Sequence, residues 1–383
     1  MPHNACFKSN VIPTQLQARS GRFMAGARLH VFALHSGRPD RGSLRCQAAA
    51  EKETVAVTGA TGLVGTRLVS KLTSQGHSVR VLTRNPNAAS GKLPYPRVEV
   101  FGPSRWNDAV KGSTAVINLA GEPISTRWTQ AVKAEIKQSR IAVTRQVVDA
   151  INSAPEDQRP RVLISTSAVG YYGASESQTF SEASSSGRDY LAEVCRDWEA
   201  EAQRSTAKRN VILRTGIVLA KEGGALGKMM PVFNIFAGGP LGSGRQWCSW
   251  IHRDDLVNLY IEAMQSDSFS GVYNATAPNP VRMSELCSSL GSVLGRPSWL
   301  PVPDFALQAL LGGGASVVLE GQRVVPSRTQ DAGFRFQYSH ALLGEGASIV
   351  LEGQRVLPKR TLEQGFKFQY DDVNRAVKSI VGA

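Results

Sequence analysis

Acidic residues are scarce in two stretches of this 383-residue chain, and each gap narrows what the chain can be. Residues 1–50 hold one acid, Asp40, against seven basic residues: Lys8, Arg19, Arg22, Arg28, Arg38, Arg41 and Arg45. Six of the thirteen net positive charges therefore sit in the first fifty residues. The remainder is mildly basic, which gives no ground for a nucleic-acid partner. The second gap runs from Glu53 to Glu99, where six basic residues (Arg67, Lys71, Arg80, Arg84, Lys92 and Arg97) face no Asp or Glu. Long apolar runs are also missing; none approaches the length of a membrane-spanning helix. Cysteines are few. Beyond Cys6 and Cys46, the spacing of Cys195, Cys248 and Cys287 fits neither a metal site nor a disulfide framework, so reduced structural thiols and no metal are expected.

The first 48 residues lack periodicity and are rich in Arg, Ser, Gly and Ala. This is the composition of an organelle transit peptide without order of its own. The run Leu44-Arg45-Cys46-Gln47-Ala48-Ala49-Ala50 resembles a plastid processing region, with a mitochondrial address as the alternative.

Residues Thr58 to Gly65 read TGATGLVG, after the apolar run Thr54–Val57 and before the helical pattern Leu63, Val64, Leu68, Val69, Leu72. Strand, glycine turn and helix N-terminus in that order make a dinucleotide site. Gly59 allows the turn, Gly62 lets a pyrophosphate approach, and Gly65 lets the helix pack on the strand. The second strand ends in Arg84, where an NAD site usually places a carboxylate for the ribose 2′-OH. Arginine suits a 2′-phosphate, and no carboxylate of the surrounding window opposes it. The expected cofactor is NADP.

Strand-like and helix-like segments alternate up to about residue 220. Strands are expected at 54–58, 78–83, 97–101, 114–119, 161–166 and 210–215, and helices at 62–75, 104–111, 128–152 and 188–206. The expected fold class is α/β, a Rossmann-type doubly wound parallel sheet with a small C-terminal substrate-side α/β region. Residues 49–220 form the expected NADP-binding domain and 221–383 the smaller region. The tail repeats itself: 310–338 matches 342–370 at 21 of 29 positions. Two copies do not make a solenoid. Because only the second copy runs on into a helix-like end, Asp372–Val381, it is expected to fill the docking surface. The first copy is expected to sit outside as an appendage.

TGATGLVG, Asn118-Leu119-Ala120-Gly121, Ser165-Thr166-Ser167-Ala168-Val169-Gly170-Tyr171-Tyr172-Gly173 and Trp250-Ile251-His252-Arg253-Asp254-Asp255 together resemble the extended short-chain dehydrogenase/reductase superfamily. More narrowly, NLAGEPI, the helix from Arg127-Trp128 to SRIAVT, and AEVCRDWE resemble its atypical "epimerase family" subgroup, which has a plastid member linked to chloroplast division. The resemblance implies cofactor contacts from Gly59, Thr61, Gly62, Leu63, Gly65, Arg84, Asn118, Leu119, Ala120, Ser165 and Arg214. It implies as partners NADPH and either an unknown small molecule or plastid division proteins. It further implies a place in the stroma or peripheral contact with the inner envelope.

The superfamily's acid–base set is a Ser with a Tyr and Lys spaced YxxxK, the Lys lowering the Tyr pKa. Ser167 and Tyr190 match the first two positions; Val194 stands where Lys is required. General acid–base help is worth ~10²–10⁴-fold in rate, so ordinary turnover is in doubt. Tyr171, Tyr172, His252, Asp254 and Asp255 are weaker substitutes. Their default roles are aromatic packing, a structural imidazole bond and helix capping. Two function classes remain: an NADP-dependent oxidoreductase or epimerase with a rearranged set, and an NADP-binding regulatory protein.

Overall fold

The computed structural model describes residues 52–340. The transit segment and the second repeat copy lie outside that range. Seven strands form one sheet: β1 (Thr54–Thr58), β2 (Ser78–Leu82), β3 (Val98–Phe101), β4 (Ala115–Asn118), β5 (Val162–Ala168), β6 (Arg209–Thr215) and β7 (Gly271–Ala275). Every neighbouring pair is parallel, in the order β7-β6-β5-β4-β1-β2-β3. Central strands read as continuous apolar runs because both faces are covered. Val55, Ala56, Val57, Ala115, Val116 and Ile117 are all fully buried.

Two helix layers provide the cover. Helix α1 (Leu63–Ser74) buries Leu68, Val69 and Leu72 beside α4 (Arg253–Gln265), which contributes Leu256, Val257 and Tyr260. On the other face α2 (Gln130–Ser153) buries Val147, Val148 and Ile151. It packs along α3 (Tyr190–Gln203), whose N-terminus is capped by the Asp189 carboxylate accepting from the Ala192 N–H. The strand order reverses between β1 and β4, so a crevice opens at the C-terminal ends of those strands.

The expected elements lie within three residues of the observed ones, with two differences in the C-terminal part. Strand β7 and helix α4 fall beyond residue 220, yet they complete the sheet and its cover. The first repeat copy is also seated rather than appended. Its strand Arg323–Val324 pairs with Thr179–Phe180, and Val324 is fully buried. Its Phe334 joins the main core, and the Asp255 carboxylate accepts the Gln337 and Tyr338 N–H groups. The expectation that this copy would be an exposed appendage is therefore corrected. The dominant contacts are backbone hydrogen bonds and two buried apolar side chains, and these need no helical extension. Among the described residues no helix is long and apolar enough to cross a membrane.

Candidate functional site: a phosphate cleft joined to an apolar cavity

The crevice at the strand reversal holds a cleft of about 260 Å³ around the glycine turn. Gly59 has φ +63°, and a Cβ there would lie 2.7 Å from the Leu119 carbonyl oxygen. Both facts require glycine. A Cβ at Gly65 would meet the Gly59 oxygen at 2.2 Å, so helix α1 sits directly on the turn. Gly62 caps α1 without any side-chain hydrogen bond, and the first turn carries no acid. The free N–H groups and the helix dipole therefore face the cleft uncompensated, which suits a phosphate.

Gly59, Thr61, Gly62, Arg84, Leu119 and Ala120 line this cleft. The other expected cofactor residues support it from behind or lie elsewhere. The buried Asn118 accepts from the Thr58 hydroxyl at 2.6 Å and donates to Thr144 and Ser165. Thr58 in turn accepts from the Leu119 N–H, which fixes the cleft floor. Asn118 and Ser165 are thus positioning residues. The Leu63 side chain turns toward Gly223 and Gly224.

Arg214 is not in the cleft either. Its guanidinium forks onto both oxygens of Glu199 at 2.8 and 2.7 Å and donates to the Tyr172 hydroxyl. Burial of a charge demands such a partner, and Glu199 occupies it fully. Ser167 belongs to the same buried group: it is 1% exposed and its hydroxyl donates to Glu199 at 2.7 Å. Successive strand residues face opposite sides. Ala168 faces the substrate-side cavity, and Ser167 points away from it. Neither Ser167, expected in the acid–base set, nor Arg214, expected at the cofactor, lines the cleft or the cavity.

Arg84 stands at the cleft rim, its side chain 74% exposed, and donates to Glu122 at 2.7 Å. The expectation that no carboxylate opposes it is corrected. Glu122 lies 38 residues downstream, in the loop after β4, where a scan around β2 does not reach.

A second, larger cavity of about 520 Å³ adjoins the cleft, and its surface is mostly apolar. The end of β5, helices α2 and α3, and residues 313–322 of the first repeat copy enclose it. Tyr190 and Val194 both line it. The Tyr190 ring meets Trp128 edge-on at 5.4 Å, and its hydroxyl donates to the Lys133 carbonyl. Burial pushes the Tyr190 phenol up, so it stays protonated at neutral pH. Burial likewise pushes the Cys195 thiol up to about 12, which leaves no thiolate.

The substitute groups keep structural roles. His252 caps α4, accepting from the Asp254 N–H, and lies 3.8 Å from the Tyr338 ring. Asp254 pairs with Arg67, and Asp255 anchors the first repeat copy. Tyr172 donates to Asn274 at 2.7 Å, and Tyr171 covers the Arg214 guanidinium. No cluster of metal-ligating side chains occurs among the described residues.

The model of the NAD dependent epimerase/dehydratase family matches residues 55–275. The chain belongs to that family. A second model, a domain of unknown function (DUF1731), matches twice, at 302–341 and 340–380. Among curated relatives, the Arabidopsis thaliana "Epimerase family protein SDR39U1 homolog, chloroplastic" is 57% identical over 77% of this chain and 86% of its own. The Bacillus subtilis "Epimerase family protein YfhF" is 40% identical over 74% and 94%. Human epimerase family protein SDR39U1 (isoform2), crystallised with NADPH, superposes with a TM-score of 0.70 at 31% identity, covering 79% of this chain and all of that one.

Proposed function

We propose that this family member binds NADPH in the plastid and works as a positive regulator of chloroplast division rather than as an ordinary short-chain reductase. Val194 carries the reading, because it lines the cavity where a proton-relaying lysine is required. The cofactor cleft is meanwhile intact. The uncapped α1 N-terminus would hold the diphosphate and Arg84 the 2′-phosphate. Bound NADPH supplies a hydride. Around it, Tyr190 can donate a proton from its neutral phenol, but no neighbour lowers its pKa below the usual tyrosine range. The chloroplastic relative and the NADPH-bound human structure support compartment and cofactor. So do the acid-poor first 48 residues and the resemblance to the plastid giant-chloroplast (SulA-like) protein. Any membrane contact would be peripheral, at the inner envelope.

Plants lacking the chain should hold fewer, larger chloroplasts, and a Gly62→Val variant should fail to restore their number. Normal chloroplasts in such plants would refute the regulatory role. A second reading, an active NADPH-dependent reductase or nucleotide-sugar epimerase with a substitute acid, draws on one observation: Tyr190 still faces the cavity. NADPH consumption with carbonyl or nucleotide-sugar substrates, lost in Tyr190→Phe, would favour it.

A further inference from the structure

The large cavity contains two cations that the functions above do not use. Arg140 and Lys133 lie two turns apart on α2, and both line it. Neither forms an ion pair among the described residues, although fourteen other pairs occur there. Among the described residues Arg140 donates only to backbone carbonyls, those of Ile136 and Glu122, each at 2.9 Å. A guanidinium has five N–H donors, so part of the fork is unspent. Lys133 Nζ contacts aromatic faces alone, 5.2 Å from the Tyr190 ring centre and 5.8 Å from that of Trp128.

The two acids on the cavity wall do not neutralise these cations. Asp189 caps α3, and Glu320 is exposed; neither lies within ion-pair distance of Arg140 or Lys133. Gly121 makes room for the guanidinium, since a Cβ there would lie 3.3 Å from Arg140 Cζ. Arg140 thus sits where the two cavities meet: its neighbours Gly121, Glu122 and Ser139 line the phosphate cleft. Burial also lowers the Arg140 pKa, although the Glu122 carboxylate, which pairs with Arg84, opposes that shift.

We infer that the cavity takes an apolar carboxylic acid, its carboxylate held by Arg140 and its hydrocarbon body lying along Val169, Leu191, Val194, Ile217 and Val317, with Lys133 as a second positive group. A largely apolar wall with one forked cation matches that chemistry. It does not match a nucleotide sugar, whose diphosphate and hydroxyls need many polar partners. The inference deepens the proposed function, since it places this acid beside the nicotinamide end of bound NADPH.

The test uses octanoate as probe, with octanamide as its neutral counterpart, titrated into the full chain with and without saturating NADPH. Tryptophan fluorescence reads acid binding through Trp128 and Trp247, and nicotinamide fluorescence reads the cofactor separately. Octanoate should bind at least about tenfold more tightly than octanamide, and Arg140→Gln should remove that preference. Arg140→Lys should restore part of it, which a merely structural role would not do. Equal binding of acid and amide, or octanoate affinity unchanged in Arg140→Gln, overturns the inference. So does an Arg140→Gln variant that loses NADPH instead, because the arginine would then serve the cofactor. Octanoate failing while NADPH binds refutes this inference alone; NADPH failing to bind refutes the underlying cofactor reading.

Discussion

The phosphate cleft and the apolar cavity share a wall, but they are built in different ways. The cleft comes mainly from one contiguous stretch, Thr58–Gly65, with Arg84 and the loop after β4 at its rim. Its working groups are backbone N–H donors and one helix dipole, so spacing alone encodes it. The cavity draws on α2, β5, α3, residues Thr215, Gly216 and Ile217, and the first repeat copy. Its character depends on which side chains converge from 200 residues of sequence. A turn of the first kind depends on its glycines more than on the identity of its side chains. A cavity of the second kind can change its chemistry with one side chain, and Val194 has that part in the proposed reading. The proposed reading, a kept cofactor cleft beside a lost acid–base set, follows from this difference.

The comparison breaks most readily at the acid–base set. Turnover with carbonyl substrates should lie ~10²–10⁴-fold below that of an enzyme holding the Tyr–Lys pair. Steady-state NADPH oxidation measures it. Next, Gly62→Val should cost NADPH binding about 100-fold or more, since the side chain enters the pyrophosphate path. Its thermal melt should stay near that of the parent, because a Cβ at Gly62 meets only the Gly59 oxygen, at 3.3 Å. A variant that binds normally would move the cofactor elsewhere.

Arg84→Ala should weaken NADPH by about tenfold and leave NADH unchanged. This is the low end of the ~1.5–3 kcal/mol for a charged hydrogen bond, because the side chain is solvent-screened. The pairing with Glu122 gives a smaller effect of opposite sign. Glu122→Gln frees Arg84 and should tighten NADPH by roughly twofold to fivefold, in line with ~0.2–1 kcal/mol for an exposed ion pair. Isothermal titration resolves both.

The smallest effect on stability concerns the repeat. Deleting residues 310–341 hands the seat to the second copy, which repeats Gly321, Gln322, Val324, Arg328, Thr329, Phe334 and Phe336 as Gly353, Gln354, Val356, Arg360, Thr361, Phe366 and Phe368. The melting temperature should move by less than ~4 °C and NADPH affinity should hold, whereas a larger drop would show the copies are not equivalent. Octanoate should bind more weakly, because Glu345 takes the place of Gly313 on the cavity wall.

The same division explains what was legible in the sequence. Strands β1 to β6 and the glycine turn are read from local apolar runs and spacing. Arg84 is read from its position at the end of β2. Strand β7, GVYNA, reads as part of the smaller region beyond residue 220, and its place in the main sheet shows only in its pairing with β6. Ser167 and Arg214 match expected positions on β5 and β6, yet their orientation depends on Glu199, which joins them from helix α3. Arg140 is visible inside SRIAVT, but that it forms no ion pair among the described residues is a three-dimensional fact. The seat of the first repeat copy escapes the sequence for the same reason: Asp255 and Ser249, which hold its backbone, carry no mark of that role in sequence.

The central claim, a retained cofactor cleft beside a disabled acid–base set, meets its most direct test in one sample. NADPH is added to the purified chain with a panel of carbonyl compounds, and cofactor binding and consumption are followed together in the parent and in Tyr190→Phe. The account predicts tight NADPH binding in both and negligible consumption in either. Brisk consumption in the parent that disappears in Tyr190→Phe would contradict it.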